Sequence, residues 1–478
     1  MILHILQKEL REKLLDLQFL TASLISIVLV VLTIVALAAI YRAQVADFHD
    51  RQMTQEDFIA HYGHLNRVGW MAQPIRPPSP YGYLVEGYHP EAGQENYLSN
   101  PMIVLFSGID LIVIVTIIMS LFGILFSYHA VSGEREAGVL RLLLSAGAPR
   151  STVVLGKYIG GCISLMLPFL IGLLAGVAGL VLLPGVRLVP GDAAVLILLF
   201  IVSWIYISFF YGLGLYFSTR SANSSVSVLK SLFAWVVLVL ILPNISPFLA
   251  QRVYQIPSKT KVDMEAWRIR DEERDKIVDT RAKELRAVKY ADIASVLERI
   301  SLKQIDEDLR RRMAGDETLK LRLAQYKKDW MDMVDEVNKE QLEKTRPLYE
   351  DLEQRSQHQE KLAKIFASVS PVGNYVFLAT DLTESGIQAD DAWNRQKEEY
   401  FTSMSPILMA IYNKALKQNP RLGVNDYIDL REFPRFVWRE VPITERISEC
   451  LWHLAVLCLL NVVILAASFF SIQYYDVR

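Results

Sequence analysis

Long unbroken apolar runs alternate along the chain with strongly charged stretches, and the apolar runs do not alternate residue by residue. A bilayer core is spanned by roughly 20 apolar residues of helix, whose backbone groups are satisfied internally. The pattern therefore predicts an all-α, polytopic membrane protein with six transmembrane helices at 18–42, 101–128, 153–183, 193–217, 230–250 and 448–473. Continuous rather than two-residue hydrophobic periodicity excludes a transmembrane barrel. Ahead of the first span, residues 1–17 place Ile2, Leu3, Ile5, Leu6, Leu10, Leu14 and Leu17 near one helical face, with Lys8, Glu9, Glu12 and Lys13 elsewhere. That is the pattern of an interfacial amphipathic helix leading into an uncleaved anchor.

The charged residues identify the other compartments. Short loops rich in Lys and Arg stay in the cytoplasm, and Lys8, Arg11, Lys13, Arg135, Arg141, Arg150, Lys157, Arg220 and Lys230 all fall on one side of a six-span arrangement. Both termini are then cytoplasmic, and residues 43–100 and 251–447 are external, periplasmic if the membrane is a Gram-negative inner membrane. The first external segment is expected to form a short helix over 55–63 and then a proline- and tyrosine-rich lid containing Pro74, Pro77, Pro78 and Pro80. The second is expected to form a periplasmic helical domain. About 70 of the 102 charged residues lie in it, interleaved with Leu285, Val288, Ile293, Leu297, Ile300, Ile305 and Leu309 at helical steps. A stop and restart are expected at Gly315 and Asp316, and an interruption at Pro347. Two helices of about 45 residues would each reach about 65 to 70 Å and suit a partner-binding role.

Composition narrows the function. Net charge is −2 over 478 residues, 52% of them hydrophobic, so no basic excess exists to hold nucleic acid. The three cysteines, Cys162, Cys450 and Cys458, sit in apolar runs and form no metal motif. His49, His61, His64 and His89 share the first external segment, but no cysteine or clear carboxylate partner completes a metal site, and they read as surface or core histidines. No phosphate-binding loop, GxSxG or HExxH pattern occurs, so the chain is not read as an enzyme. Gly172 and Gly176 are spaced for close helix approach, within one protomer or at a dimer seam, and Pro168 and Pro243 are placed for kinks. Asp110, the acidic residue inside an apolar run, is read either as a hydrated cap or as part of a substrate path.

The most informative stretch is the loop 129–152, with Glu134, Arg135, Glu136, Gly138, Val139, Leu140, Leu142, Leu143, Leu144, Pro149 and Arg150, followed by Lys157. Its residue types suit a short force-transmitting helix. Glu134, Arg135 and Glu136 would dock on a motor, and the leucines would face the membrane domain. Gly138 would allow close backbone approach, Pro149 would end the helix, and Arg150 and Lys157 would anchor at headgroups. An ordinary basic interfacial loop is the alternative on residue types alone.

This order of acidic residue, glycine, leucine-rich turn, Pro-Arg and Gly-Lys resembles the coupling loop of type-2 ABC exporter permeases, the type V exporter fold. The large insertion before the last span resembles the group found with nitrous-oxide-reductase maturation and gliding-type ATPases. Pro74 to Pro80 ahead of Gly108-Ile109-Asp110, and Ser370-Pro371 with the segment Thr380 to Gly386, are similar to its recurring segments. The resemblance implies an ABC ATPase partner that binds ATP and Mg, no cofactor on this chain, and a second permease copy or related permease. The competing readings are a mechanotransmission protein acting on a periplasmic protein without transport, and a stand-alone membrane receptor or scaffold.

Overall fold

The computed structural model describes residues 2–61, 63, 72–87, 109–145, 147, 149–182, 191–301, 307, 311, 315–419 and 427–473. Among these residues the chain is helical and holds no strand. The helices are α1 (Ile2–Leu15), α2 (Leu17–His61), α3 (Leu111–Leu125), α4 (Ser132–Glu136), α5 (Val139–Ser145), α6 (Arg150–Leu182), α7 (Asp192–Arg220) and α8 (Ser224–Val253). There follow α9 (259–289), α10 (Ala294–Ser301), α11 (Glu317–Ser368), α12 (Pro371–Leu382), α13 (Ile387–Gln418) and α14 (Ile443–Gln473).

Five of them, α2, α6, α7, α8 and α14, are each long and apolar enough to cross a bilayer. The remaining expected span, 101–128, appears as the shorter apolar helix α3; residues 101–108 lie outside the described residues. The helix that starts at Leu17 does not end near residue 42. No glycine or proline occurs before Gly63, and the Asp47–Arg51 pair at 2.7 Å supports the helical register, so α2 continues to His61 and absorbs the separate helix expected over 55–63.

The chain divides into two compact units, Met1–Ile245 with Ala367–Arg478, and Ser246–Phe366. In the first, α6 packs along α2, α7 along α14, α1 against α6, and α12 against α14. Glycine makes the closest of these contacts possible. A Cβ on Gly176 would stand 2.5 Å from the Ile34 side chain, and one on Gly172 would stand 3.1 Å from Val30, so both glycines pack within the protomer against α2. At Gly161 the opposing group is the Tyr211 ring, 1.9 Å from where a Cβ would lie. A polar seam joins α6, α7 and α14, where Asn461 accepts from Tyr158 and Ser208 at 3.1 and 2.9 Å and donates to the Ile205 carbonyl. Ser370 caps α12 by accepting from the Val372 N–H, and its hydroxyl donates to the Leu238 carbonyl.

Residues 367–447 belong to this first unit rather than to one domain with 251–366. Ile59 at the end of α2 is buried with Tyr400, Met404, Ile428, Leu430 and Phe433, which fastens α13 and the segment after it to the long N-terminal helix.

The second unit is an antiparallel helical hairpin. Arg281 reaches Glu340 with two contacts of 3.0 Å, Tyr290 donates to Asp329, and Arg322 to Asp292, so α9 and α11 run in opposite directions. Asp316 caps α11 by accepting from the N–H groups of Thr318 and Leu319, which is the restart expected there. Pro347 does not interrupt α11. The helix continues as 52 residues, about 78 Å at 1.5 Å per residue, and buried Thr345 returns its hydroxyl to the Gln341 carbonyl one turn before the proline.

Gly161→Ala should lower the thermal midpoint of the detergent-purified chain, by a cost of about 1 to 3 kcal/mol from overpacking against Tyr211. Gly179→Ala, where the nearest group is 3.9 Å away, should leave it unchanged. Equal midpoints for the two variants would refute close packing at Gly161.

Candidate functional site

The end of the bundle that carries α1 gathers nearly all of the loop residues singled out from the sequence, and it does so around one lysine. Lys157, at the start of the third turn of α6, is only 3% exposed. Its Nζ lies 2.6 Å from Glu9 Oε1 of α1 and 2.9 Å from Glu134 Oε1 of α4. Lys8 stands 3.3 Å from the same Glu134 oxygen. Two ammonium groups and two carboxylates thus join α1, α4 and α6. Removing either sign alone would leave a buried uncompensated charge. Lys157 is therefore a buried tie and not a headgroup anchor.

The neighbours of Glu134 are also engaged by the chain's own helices. Arg135 donates to the Ser221 and Thr219 carbonyls at 3.0 and 3.2 Å, satisfying the open C-terminal end of α7. Glu136 accepts from the Ser224 N–H at 2.6 Å and from its hydroxyl at 3.2 Å, which caps α8. Ser218 of α7 completes the clamp, accepting from the Val131 and Ser132 N–H groups, both at 2.9 Å, at the start of α4. The ionic start of the loop is engaged by the chain's own helices.

After Ala137 the backbone turns through Gly138, whose φ of +75° favours glycine, and no group lies within 4 Å of where its Cβ would stand. This glycine makes a turn, not a close approach. In α5, Leu140 is buried among Val131, Val154, Leu215 and Ile472, whereas Val139 is 37% and Leu142 71% exposed. Pro149 begins the next helix rather than ending this one, since its carbonyl accepts from the Val153 N–H. Ala146 and Ala148 lie outside the described residues. Arg150 donates to the carbonyls of Ile472 and Gln473, binding the loop's exit to the C-terminal end of α14.

Asp110 is not part of this cluster. It precedes α3, at the end of that helix away from the loop, where its Oδ1 accepts from the Val113 N–H at 2.9 Å and caps the helix.

Several of these partners lie outside the loop read from the sequence. The apolar residues of α1 are divided: Leu3, Leu14 and Leu15 are 71%, 41% and 73% exposed, while Ile5 is buried along with Glu9. Lys13 follows one turn later and donates to the Tyr211 hydroxyl at 2.7 Å and to the Phe126 carbonyl at 3.3 Å. Burial lowers the Lys13 ammonium to about 8, against the opposing attraction of Glu9. His129 is lowered too, first by burial and then by Lys13 and Lys157. The readable signal was Glu9 and Lys13 spaced i, i+4 at positions three or four residues from the apolar Ile5, Leu6 and Leu10, where a charge needs a partner. Among the described residues no group of three or more His, Cys, Asp or Glu side chains is arranged to hold a metal. His61 returns Nδ1 to the Asp57 carbonyl, and His64 and His89 lie outside the described residues.

The pattern of the ABC-2 family transporter proteins matches residues 3–471, nearly the whole chain. The chain belongs to the ABC-2 transporter family. The chain is 31% identical over 159 residues to the "Probable ABC transporter permease protein NosY" of Pseudomonas aeruginosa, covering 31% of this chain and 53% of that one. It is also 31% identical over 130 residues to the protein of the same name from Stutzerimonas stutzeri, covering 26% of this chain and 46% of that one. The chain thus spans about half the length of the curated relatives it matches. With its apolar helices, this ABC-2 family member is a multi-pass, all-α membrane protein.

Lys157→Met should destabilise the ABC-2 chain by about 3 kcal/mol, since it strands Glu9 and Glu134; thermal unfolding in detergent measures it, and an unchanged midpoint would exclude a structural role for the pair. The lowered Lys13 adds a pH dependence with a definite sign. Between about pH 8 and the ordinary lysine value the unfolded chain holds the proton that the folded chain has lost, so folding gains stability as pH rises. Relative to Lys13→Met, the parent should gain stability between pH 7.5 and 9.5. A constant difference would contradict a buried, proton-losing Lys13.

Proposed function

We propose that this chain is the membrane subunit of an ATP-driven ABC exporter, with ATP and Mg bound and hydrolysed by a separate ATPase subunit. Two permease copies, or this chain and a related permease, would form the pathway in a bacterial inner membrane, with both termini cytoplasmic. The loop 129–152 is the coupling element. The observation that carries this reading is the division of labour within it: Glu134, Arg135, Glu136 and Arg150 bind it to α1, α6, α7, α8 and α14, while Val139 and Leu142 stay exposed on α5.

A push on α5 then has a physical route. Leu140 transmits it to the core shared by α6, α7 and α14, and Lys157 transmits it to α6 and α1. The turn at Gly138 lets α5 present its own face to the ATPase without disturbing the ion pairs of α4. Coupling through contiguous packed and ionic contacts of this kind needs two arrangements that the motor can bias. ATP binding would close the ATPase dimer and drive the loop, and the spans would switch exposure. Gly138, Leu140 and Pro149 serve the loop's shape in this account, and the charged residues serve its attachment.

One observation favours the mechanotransmission reading as the alternative: residues 246–366 form their own unit around a 52-residue helix, large for a transport pathway that needs only spans. In that reading the same coupling element would move the helical hairpin and a bound periplasmic protein.

The test is affinity purification of the tagged chain from its native host, with mass spectrometry of stoichiometric partners. The parent should bring down an ABC ATPase. Leu142→Asp should lose most of it, about tenfold, as expected when a buried interface residue is replaced by a charge, while keeping the parent's thermal midpoint. Glu134→Gln should instead lower the midpoint. Retention of the ATPase by Leu142→Asp would remove the α5 face from the mechanism.

A further inference from the structure

Within the second unit, four features that each weaken helical packing fall at one level of the hairpin. In α9 the residues Arg268–Glu273 form a π turn, whose wider bonding accommodates an extra residue and often marks a functional site. Glu273 lies 4.0 Å from Lys344 and Arg274 donates to Asn338 at 2.8 Å, so this turn stands beside residues 338–344 of α11. There Gln341 is fully buried, and among the described residues neither polar atom of its amide has a hydrogen-bond partner. Thr345, one turn on and also fully buried, donates its hydroxyl back to the Gln341 and Leu342 carbonyls, a bond that bends helices. Pro347 follows and offers no N–H to the carbonyl four residues before it.

The hairpin is well held on both sides of that level. Toward its base, Val262 and Ala266 are buried, Tyr349 donates to Asp263 at 3.2 Å, and Gln359 donates to the Tyr254 carbonyl at 2.7 Å. Toward its tip, Tyr290, Ile293 and Leu297 form a core with Leu285, Leu319, Leu323 and Tyr326, and Tyr290 donates to Asp329 at 2.7 Å. Around the weak level the two helices are joined by the polar pairs Arg274–Asn338, Arg281–Glu340 and Glu273–Lys344, which solvent reaches and which therefore hold the seam only lightly.

A buried amide without a partner raises the free energy of the arrangement that buries it. Bending that opens the seam returns this amide to water, which narrows the gap between a straight and a bent hairpin. We infer that the hairpin is jointed: residues 268–273 and 341–347 form a hinge about which its outer half, 274–340, changes direction relative to its inner half. The π turn and the proline-containing turn absorb the backbone change, and the packed regions on either side move as rigid pieces. Gln341 sets the balance between the two forms. A partner bound across the joint would select one of them. The joint lies wholly within the second unit and requires no ATPase, so it stands or falls apart from the coupling reading.

The test is hydrogen exchange of the purified full chain in nanodiscs, read by mass spectrometry, with spin-label distances as the second measurement. Backbone amides of 268–273 and 341–347 should exchange about tenfold faster than those of 263–267 and 323–329. Gln341→Leu removes the unpaired amide at nearly constant volume; it should slow exchange in both hinge segments about tenfold and raise the thermal midpoint. Gln341→Glu should speed exchange in both and leave 323–329 unchanged. Nitroxides at Met264→Cys and Val288→Cys, exposed positions on either side of the π turn, with Cys458→Ser to remove the exposed native thiol, would lie about 36 Å apart along a straight α9. The otherwise native chain should show this distance and a shorter one, and Gln341→Leu the longer one alone. Uniform exchange along the hairpin, or a single distance shared by the native chain and Gln341→Leu, would overturn the hinge.

Discussion

The structure depends most on a charge placed where charge is costly. Lys157 stands in an otherwise apolar helix and is buried against Glu9 and Glu134. An isolated ammonium there would be strongly unfavourable, and a single carboxylate partner would satisfy it only in good geometry. With two carboxylates and Lys8 close by, the cluster is balanced, and each member needs the others. Such a cluster specifies an arrangement: α1, α4 and α6 cannot shift independently without exposing an unpaired charge. The loop therefore behaves as part of the bundle, which is the property a transmitting element requires.

The same logic explains how the three charged residues of α4 differ. Glu134 is an ion-pair partner, whereas Arg135 and Glu136 satisfy open helix ends, the last carbonyls of α7 and the first N–H groups of α8. Ser218 does the same for α4 from across the interface. Backbone groups left open at three helix termini are thus closed by side chains from neighbouring helices. This also determines what remains outside. Exposed on the loop are Val139 and Leu142 of α5, together with the charged Glu136 and Arg141.

Much of the fold was legible because its signal is one-dimensional. Apolar runs over 18–42, 153–183, 193–217, 230–250 and 448–473 each contain the apolar part of a long helix, and the glycines at 172 and 176 indicate a close helix neighbour. The helical restart at Asp316 was readable from local capping chemistry. Other features required knowledge of the third dimension. Pro347 reads as a break, yet packing carries α11 through it. The stretch 251–447 reads as one domain because it lies between two apolar runs and carries most of the charge, but Tyr400, Leu430 and Phe433 bury themselves with Ile59, a contact across more than 300 residues of sequence. In the loop, residue types did not give the direction of the side chains. Glu134 could face a partner or Lys157 with equal local plausibility, and only the burial of Glu9 on the inward face of α1 decides between them.

The central claim is that the segment 132–145 faces the chain's own helices through its charges and an ATPase through α5. Photo-cross-linking from benzoylphenylalanine placed singly at positions 134, 142 and 249 measures it directly in the native host. The account expects position 142 to capture an ABC ATPase subunit, and positions 134 and 249 to capture none. Capture of the ATPase from 134 but not from 142 would contradict it, and would return the ionic residues to the docking surface.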